Sequence, residues 1–181
     1  MDAFENIVAS ILDRNGYWTR TEFKVDLTAS DKKRIGRPST PRWEIDVIAY
    51  KANTNRILAV ECKSYLDSTG VRTQAFAEPG SQHGRRFKLF NESTTRRIVL
   101  SNLAAQLESN GLCRPNPDIT LCLAAGKVRN ADDLDYIQNY FNKRDWQFFS
   151  PDWIRSELGA LAKSGYENST AAVTTKLLLR E

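Results

Sequence analysis

The chain predicts an α/β domain with one mixed sheet and helices on both faces. Three observations lead there. Hydrophobic periodicity switches between a helical stripe and short strand-like runs, with the breaks falling at glycine, proline and asparagine. The resulting element order is α-β-β-β-α-β-α-β. The length of 181 residues with 41% hydrophobic content suits a single globular domain with a substantial core.

Residues 3–15 carry an amphipathic stripe of Phe4, Ile7, Val8, Ile11 and Leu12, ended by Asn15-Gly16. Tyr17 to Val25 alternates loosely and is rich in β-branched and aromatic residues, which suits a strand. Residues 27–42 read as a polar, basic loop from which Pro38 and Pro41 exclude regular structure. Two apolar runs come next, WEIDVIAY (43–50) and RILAVECKS (56–64), joined by the turn-like KANTN. Strand, turn and strand make a hairpin. Residues 65–95 form a long irregular section with Gly70, Pro79, Gly80 and Gly84, in which VRTQAFAE is a candidate short helix.

A helix over 93–110 places Ile98, Leu100, Leu103, Ala104 and Leu107 on its apolar side. DITLCLAA (118–125) is a buried strand, and 130–144 is a helix with Asn130 as N-cap and acids in its first turn. DWQFFS (145–150) is a short strand, after which Ser150 caps a helix beginning at Pro151. A last helix spans 169–180. Residues 1–150 form the main domain, and 151–181 a C-terminal helical extension packed on it.

Composition removes several function classes. No apolar run approaches the length a bilayer requires, and Asp2 and Glu5 stand where a signal peptide would be basic. A cytoplasmic protein with no membrane partner is expected. Cys62, Cys113 and Cys122 are an odd number with no CxxC pair, which argues against a disulfide framework or structural zinc. Buried thiols are expected instead. The one histidine, His83, lies in the Gly-rich polar stretch SQHGRR, a loop position suited to a phosphate contact. Any hydrolytic chemistry here would therefore rest on carboxylates, lysine and a metal. The net charge of +4 leans toward polyanionic partners.

Side chains alternate across a strand. That rule puts Ile45, Val47 and Ala49 on one face of the first hairpin strand and Glu44 and Asp46 on the other. In the second strand, Leu58, Val60 and Cys62 face the core, and Ala59, Glu61 and Lys63 face away. Pairing through KANTN sets Asp46 about opposite Glu61, with side chains roughly 5 Å apart. Two carboxylates that close repel unless a cation lies between them, and both are hard oxygen ligands of the kind Mg²⁺ prefers. The backbone carbonyl of Cys62 is a further ligand candidate. Lys63, on the same side, can orient a metal-bound water or stabilise charge on a phosphorane-like transition state. Glu44 is nearer the strand start, where a solvated role is expected.

Asp46, fourteen intervening residues, then Glu61-Cys62-Lys63 across a hairpin resembles the PD-(D/E)xK nuclease superfamily, nearest in pattern to Mrr-like and Holliday-junction-resolvase-like members. The element order over 3–125 matches as well. The resemblance implies a restriction endonuclease-like three-layer α/β/α core with a mixed central sheet, carried by residues 1–150. It implies catalytic roles for Asp46, Glu61, Lys63 and Glu5. Glu5 matches the glutamate that members often place on the first helix, as a ligand reached directly or through water. Gln74 is an accessory candidate for the glutamine seen after ExK in some members. The family proline before the aspartate is replaced by Ile45, and some thirty residues separate ExK from the next core helix instead of a short link.

The implied activity is a Mg²⁺-dependent endonuclease, with Mn²⁺ as substitute, hydrolysing phosphodiester bonds of DNA in restriction, repair or defence. The alternative is a non-catalytic or partner-activated nucleic-acid-binding subunit of the same fold. Lys32, Lys33, Arg34, Arg37 and Arg42 lead into the site strand, and Arg85, Arg86 and Lys88 come after it, with Arg96 and Arg97 beyond. Such charge raises affinity for phosphate without reading sequence. Trp18 and Trp43 are able to stack on bases, but core packing is expected for both. No separate specificity domain is evident, so sequence recognition is expected either to reside in a partner subunit or to be absent. Cutting two strands takes two sites, for which a homodimer is the expected arrangement.

Overall fold

The computed structural model describes residues 2–39 and 42–180. The first helix forms where the stripe predicts it. Asp2 accepts the Phe4 amide at 2.7 Å as N-cap, and α1 (Ala3–Arg14) buries Phe4, Val8, Ile11 and Leu12. Gly16, at φ +81°, turns the chain into β1 (Trp18–Val25).

The loop expected over 27–42 is corrected in its first half. A short helix, α2 (Ala29–Arg34), forms there. Thr28 accepts the Asp31 amide while the Asp31 carboxylate accepts the Thr28 amide, a reciprocal cap that satisfies two otherwise orphaned donors. Pro38 stands beyond the end of this helix and so does not prevent it, and Pro41 lies outside the described residues.

The hairpin is β2 (Trp43–Lys51) and β3 (Arg56–Lys63). The later strands are β4 (Asp118–Ala125) and β5 (Gln147–Phe149). The five strands lie in chain order, β1-β2-β3 antiparallel, with β4 and β5 continuing parallel to β3. Helices cover both faces of this open mixed sheet. On one face α1 and α7 (Pro151–Ala162) pack on Val47, Ala49, Leu58, Val60 and Cys62. On the other, α5 (Ser93–Ser109) and α6 (Ala131–Asn142) pack on Ile48, Ile57, Ala59, Leu121 and Leu123. The C-terminal helix, α8 (Thr170–Leu179), lies against α7 and α1 with Ala172 fully buried.

Burial on both faces corrects the expectation of one apolar and one charged hairpin face. Alternation also breaks within β2. Ile45 belongs with Ile48 on the α5/α6 side, whereas Val47 and Ala49 lie on the α1 side. The break falls at Asp46, opposite Glu22 of β1, a non-glycine residue at φ +52°.

The irregular section 65–95 is largely core. It contains α3 (Gln74–Ala77), a 3-10 turn at Gly84–Arg86 and α4 (Lys88–Asn91). Phe76, Phe87 and Phe90 are buried, with ring centroids 5.1 and 5.9 Å from Phe76 to the other two and 5.4 Å from Phe76 to Phe141 of α6. Four aromatic rings bury enough apolar surface to order a glycine- and proline-rich segment. Two other expectations change. Trp18 is 83% exposed on β1, whose outer edge has no strand partner among the described residues, and Cys113 is only half-buried; Cys62 and Cys122 are buried as expected. No helix of the described residues is long and apolar enough to cross a membrane.

Candidate active site at the fork of the hairpin

The β2–β3 ladder is regular from Lys51↔Arg56 to Val47↔Val60. Continued by two residues, the same register would set Cys62 against Ile45. Instead the Cys62 amide donates to the Asp46 carboxylate at 2.6 Å. The side chain of Asp46 takes the place of a backbone acceptor, and the strands fork around it. A charge-assisted bond of this length holds the carboxylate in one orientation.

Beyond the fork, Glu61 and Lys63 project to one side of β3 while Cys62 is buried on the other. Lys63 Nζ lies 3.6 Å from Glu61 and 3.8 Å from Asp46, and donates to the Cys62 carbonyl at 3.0 Å. The three side chains are between 15% and 19% exposed. Burial, with Asp46 and Glu5 nearby, pushes the Glu61 carboxyl up to about 7, against the counter-pull of Lys63. For Lys63, burial acts downward, but Glu61 and Asp46 outweigh it and raise the ammonium above its ordinary range. Burial also drives the Cys62 thiol far above the usual range, so it is no thiolate ligand.

Glu5 reaches this group from α1. Burial, then Asp46, Asp2 and Glu22, raise its carboxyl, and its Oε2 is shielded from solvent with no hydrogen-bond partner among the described residues. An unpartnered buried carboxylate oxygen beside two further carboxylates suits a hard cation, so the donor set fits Mg²⁺ chemically. Among the described residues, however, no group of three or more His, Cys, Asp and Glu is drawn close enough to hold a metal ion as it stands.

Glu61 and Lys63 open into a cleft of about 540 Å³ that is also lined by Tyr65, Trp43 and Leu89. Besides Lys63, five cations line it: Arg37 and Arg42 from the approach to β2, and Arg85, Arg86 and Lys88 from the 3-10 turn and α4. Residues far apart in sequence thus converge on one basic cleft. Asp46 and Glu5 are not among the residues that line it.

The remaining candidates are elsewhere. Lys32, Lys33 and Arg34 are carried away on α2 and do not line the cleft. Gln74 is exposed at the start of α3, off the cleft, because the inserted segment takes it there. His83 is also off the cleft, preceding the 3-10 turn. Arg96 is structural: it donates to the carbonyls of Leu89 and Phe90 and lies 4.8 Å over the Trp146 ring. Trp43 is buried as expected, with the Arg37 guanidinium 5.0 Å over its ring. Glu44 does line the cleft and is paired with Lys24. Tyr65 was missed, although strand alternation from Glu61 and Lys63 reaches it two residues on.

Comparison with models of known families, with characterised proteins and with solved structures gives no match for this chain.

Proposed function

We propose that the chain is a Mg²⁺-dependent endonuclease acting on DNA, with a restriction endonuclease-like three-layer α/β/α core. The observation that carries the reading is the convergence of Glu61 and Lys63, backed by Asp46 and Glu5, with five cations lining one open cleft. Asp46, Glu61 and the Cys62 carbonyl would hold the ion, with Glu5 reached through water. When bound, the ion supplies charge neutralisation and a water of lowered pKa. The protein's own groups do the rest. Arg37, Arg42, Arg85, Arg86 and Lys88 bind and align the phosphate backbone. Lys63, whose proton is held tightly, stays cationic at neutral pH and so serves charge stabilisation rather than proton abstraction.

A partner-activated subunit is the second reading, and one observation favours it. The Lys63 ammonium now binds the Cys62 carbonyl and neutralises both carboxylates, the work a metal would do. A partner or substrate that draws Lys63 outward would free those oxygens.

Incubation with Mg²⁺ or Mn²⁺ and a panel of duplex, flap, junction, single-stranded DNA and RNA substrates tests both. Cleavage by the isolated chain supports the first reading; cleavage only with a partner supports the second. Replacing Arg85, Arg86 and Lys88 with alanine should weaken DNA binding and reduce its salt dependence, by about 0.9 in log–log slope per lost phosphate contact. No cleavage under any condition, together with unchanged DNA affinity in that triple variant, would overturn the assignment.

A further inference from the structure

Tyr65 lies just past the end of β3 and occupies the left-handed region at φ +46°. A bulky aromatic residue is rarely found there, since glycine or asparagine would fit without steric cost. The surroundings hold it in place. The Gly126 amide donates to the Lys63 carbonyl at 2.9 Å, and Gly126 approaches so closely that a Cβ there would stand 2.5 Å from the Ser64 carbonyl oxygen. On the far side, the Tyr65 carbonyl accepts both the amide and the hydroxyl of Ser68, each at 3.1 Å. Lys127 Nζ then donates to the Ser68 carbonyl at 2.6 Å.

The consequence of this turn is directional. Tyr65 is half-buried, its ring packed on the α5/α6 side of the core, and it lines the same cleft as Glu61 and Lys63. Its hydroxyl makes no hydrogen bond among the described residues. A phenol that is left free, held by an over-determined backbone and lining a cleft in which six cations outnumber the carboxylates of Glu44 and Glu61 suits one class of ligand, an oxyanion. Strain retained at such a place is commonly tied to function.

We infer that Tyr65 is a substrate-contacting residue whose hydroxyl donates a hydrogen bond to a phosphate oxygen of a nucleic-acid strand lying in the cleft. The inference rests on the nucleic-acid reading of the site and extends it to a residue outside the carboxylate–lysine group.

The test uses two variants, binding and melting. Tyr65→Phe keeps the ring and removes the hydroxyl, while Tyr65→Asn suits the left-handed backbone. Affinity for a fluorescein-labelled oligodeoxynucleotide in Ca²⁺ should fall about tenfold in Tyr65→Phe, the scale of one hydrogen bond to a charged group. The salt slope should stay as in wild type, because no cation is lost. Melting temperature should be unchanged in Tyr65→Phe, while in Tyr65→Asn the relief of backbone strain should offset part of the loss of ring packing. Equal affinity of Tyr65→Phe and wild type would overturn the inference, as would a fall in affinity matched by a fall in melting temperature. If isolated wild type cuts no substrate but Tyr65→Phe still binds more weakly, the reading as a nuclease active on its own fails and the phosphate contact stands. If wild type binds no oligonucleotide, both fail.

Discussion

The two ends of the β2–β3 hairpin contrast in pairing, burial and charge. At the turn end, Ile48, Ala49, Ile57 and Leu58 are paired in regular register and buried on both faces. At the fork end, three residues later, the ladder gives way to a carboxylate–amide bond and three ionisable side chains share a half-open space. The closed end lowers free energy by removing apolar surface from water. The open end raises it, since burial penalises the charged form of Glu61. That a short hairpin carries both is the pattern expected of a functional site supported by a stable scaffold.

Substitutions at the two ends should therefore have opposite signatures. The largest effect is expected at the fork. Asp46→Asn, Glu61→Gln or Lys63→Ala should each cut any Mg²⁺-dependent cleavage by at least about a hundredfold, measured as kcat on the best substrate. Glu61→Gln should meanwhile leave stability unchanged or raise it, because it removes a buried charge. DNA affinity in Asp46→Asn and Glu61→Gln should hold or tighten with less repulsion of phosphate. A fork variant that loses stability in step with activity would erase the contrast.

Next comes the closed end. Leu58→Ala, at a position 1% exposed beneath α1, should cost about 2–5 kcal/mol in urea unfolding. Activity of the fraction that remains folded should be close to wild type. Selective loss of cleavage in a fully folded Leu58→Ala protein would mean that the two ends are coupled rather than separate.

The smallest effect sharpens the fork itself. Folding raises the Glu61 carboxyl from its ordinary 4.5 to about 7. The folded state therefore binds a proton that the unfolded chain has released. This contribution to stability is complete below the unfolded value and is lost as pH rises through the folded one. Without divalent metal, wild type should lose stability relative to Glu61→Gln between about pH 4.5 and 7. Parallel melting curves for the two proteins across that range would show that Glu61 is not held against its burial. On the proposed function, Mg²⁺ takes the place of the proton, so its affinity should climb over the same interval.

Much of this was legible in the chain. The stripe Phe4, Val8, Ile11, Leu12, the caps Asn130 and Ser150, and the strands 43–50, 56–64 and 118–125 depend on local periodicity and local hydrogen bonding, which sequence records directly. Alternation along β3 likewise put Glu61 and Lys63 opposite Cys62. Even α2 was legible in principle, from the Thr28–Asp31 spacing.

Tertiary structure decided the rest. Whether the outer hairpin face met water or another helical layer depended on Phe76, Phe87 and Phe90 folding back on α6, a long-range burial with no periodic signal. The same fold-back brought Arg85, Arg86 and Lys88 to the cleft, while the cap at Thr28 took Lys32, Lys33 and Arg34 away from it. The fork could not be read from alternation, because it is a place where alternation breaks. A side-chain carboxylate outcompetes a backbone carbonyl there for one amide, and only the packing of both sheet faces determines which of the two is in reach.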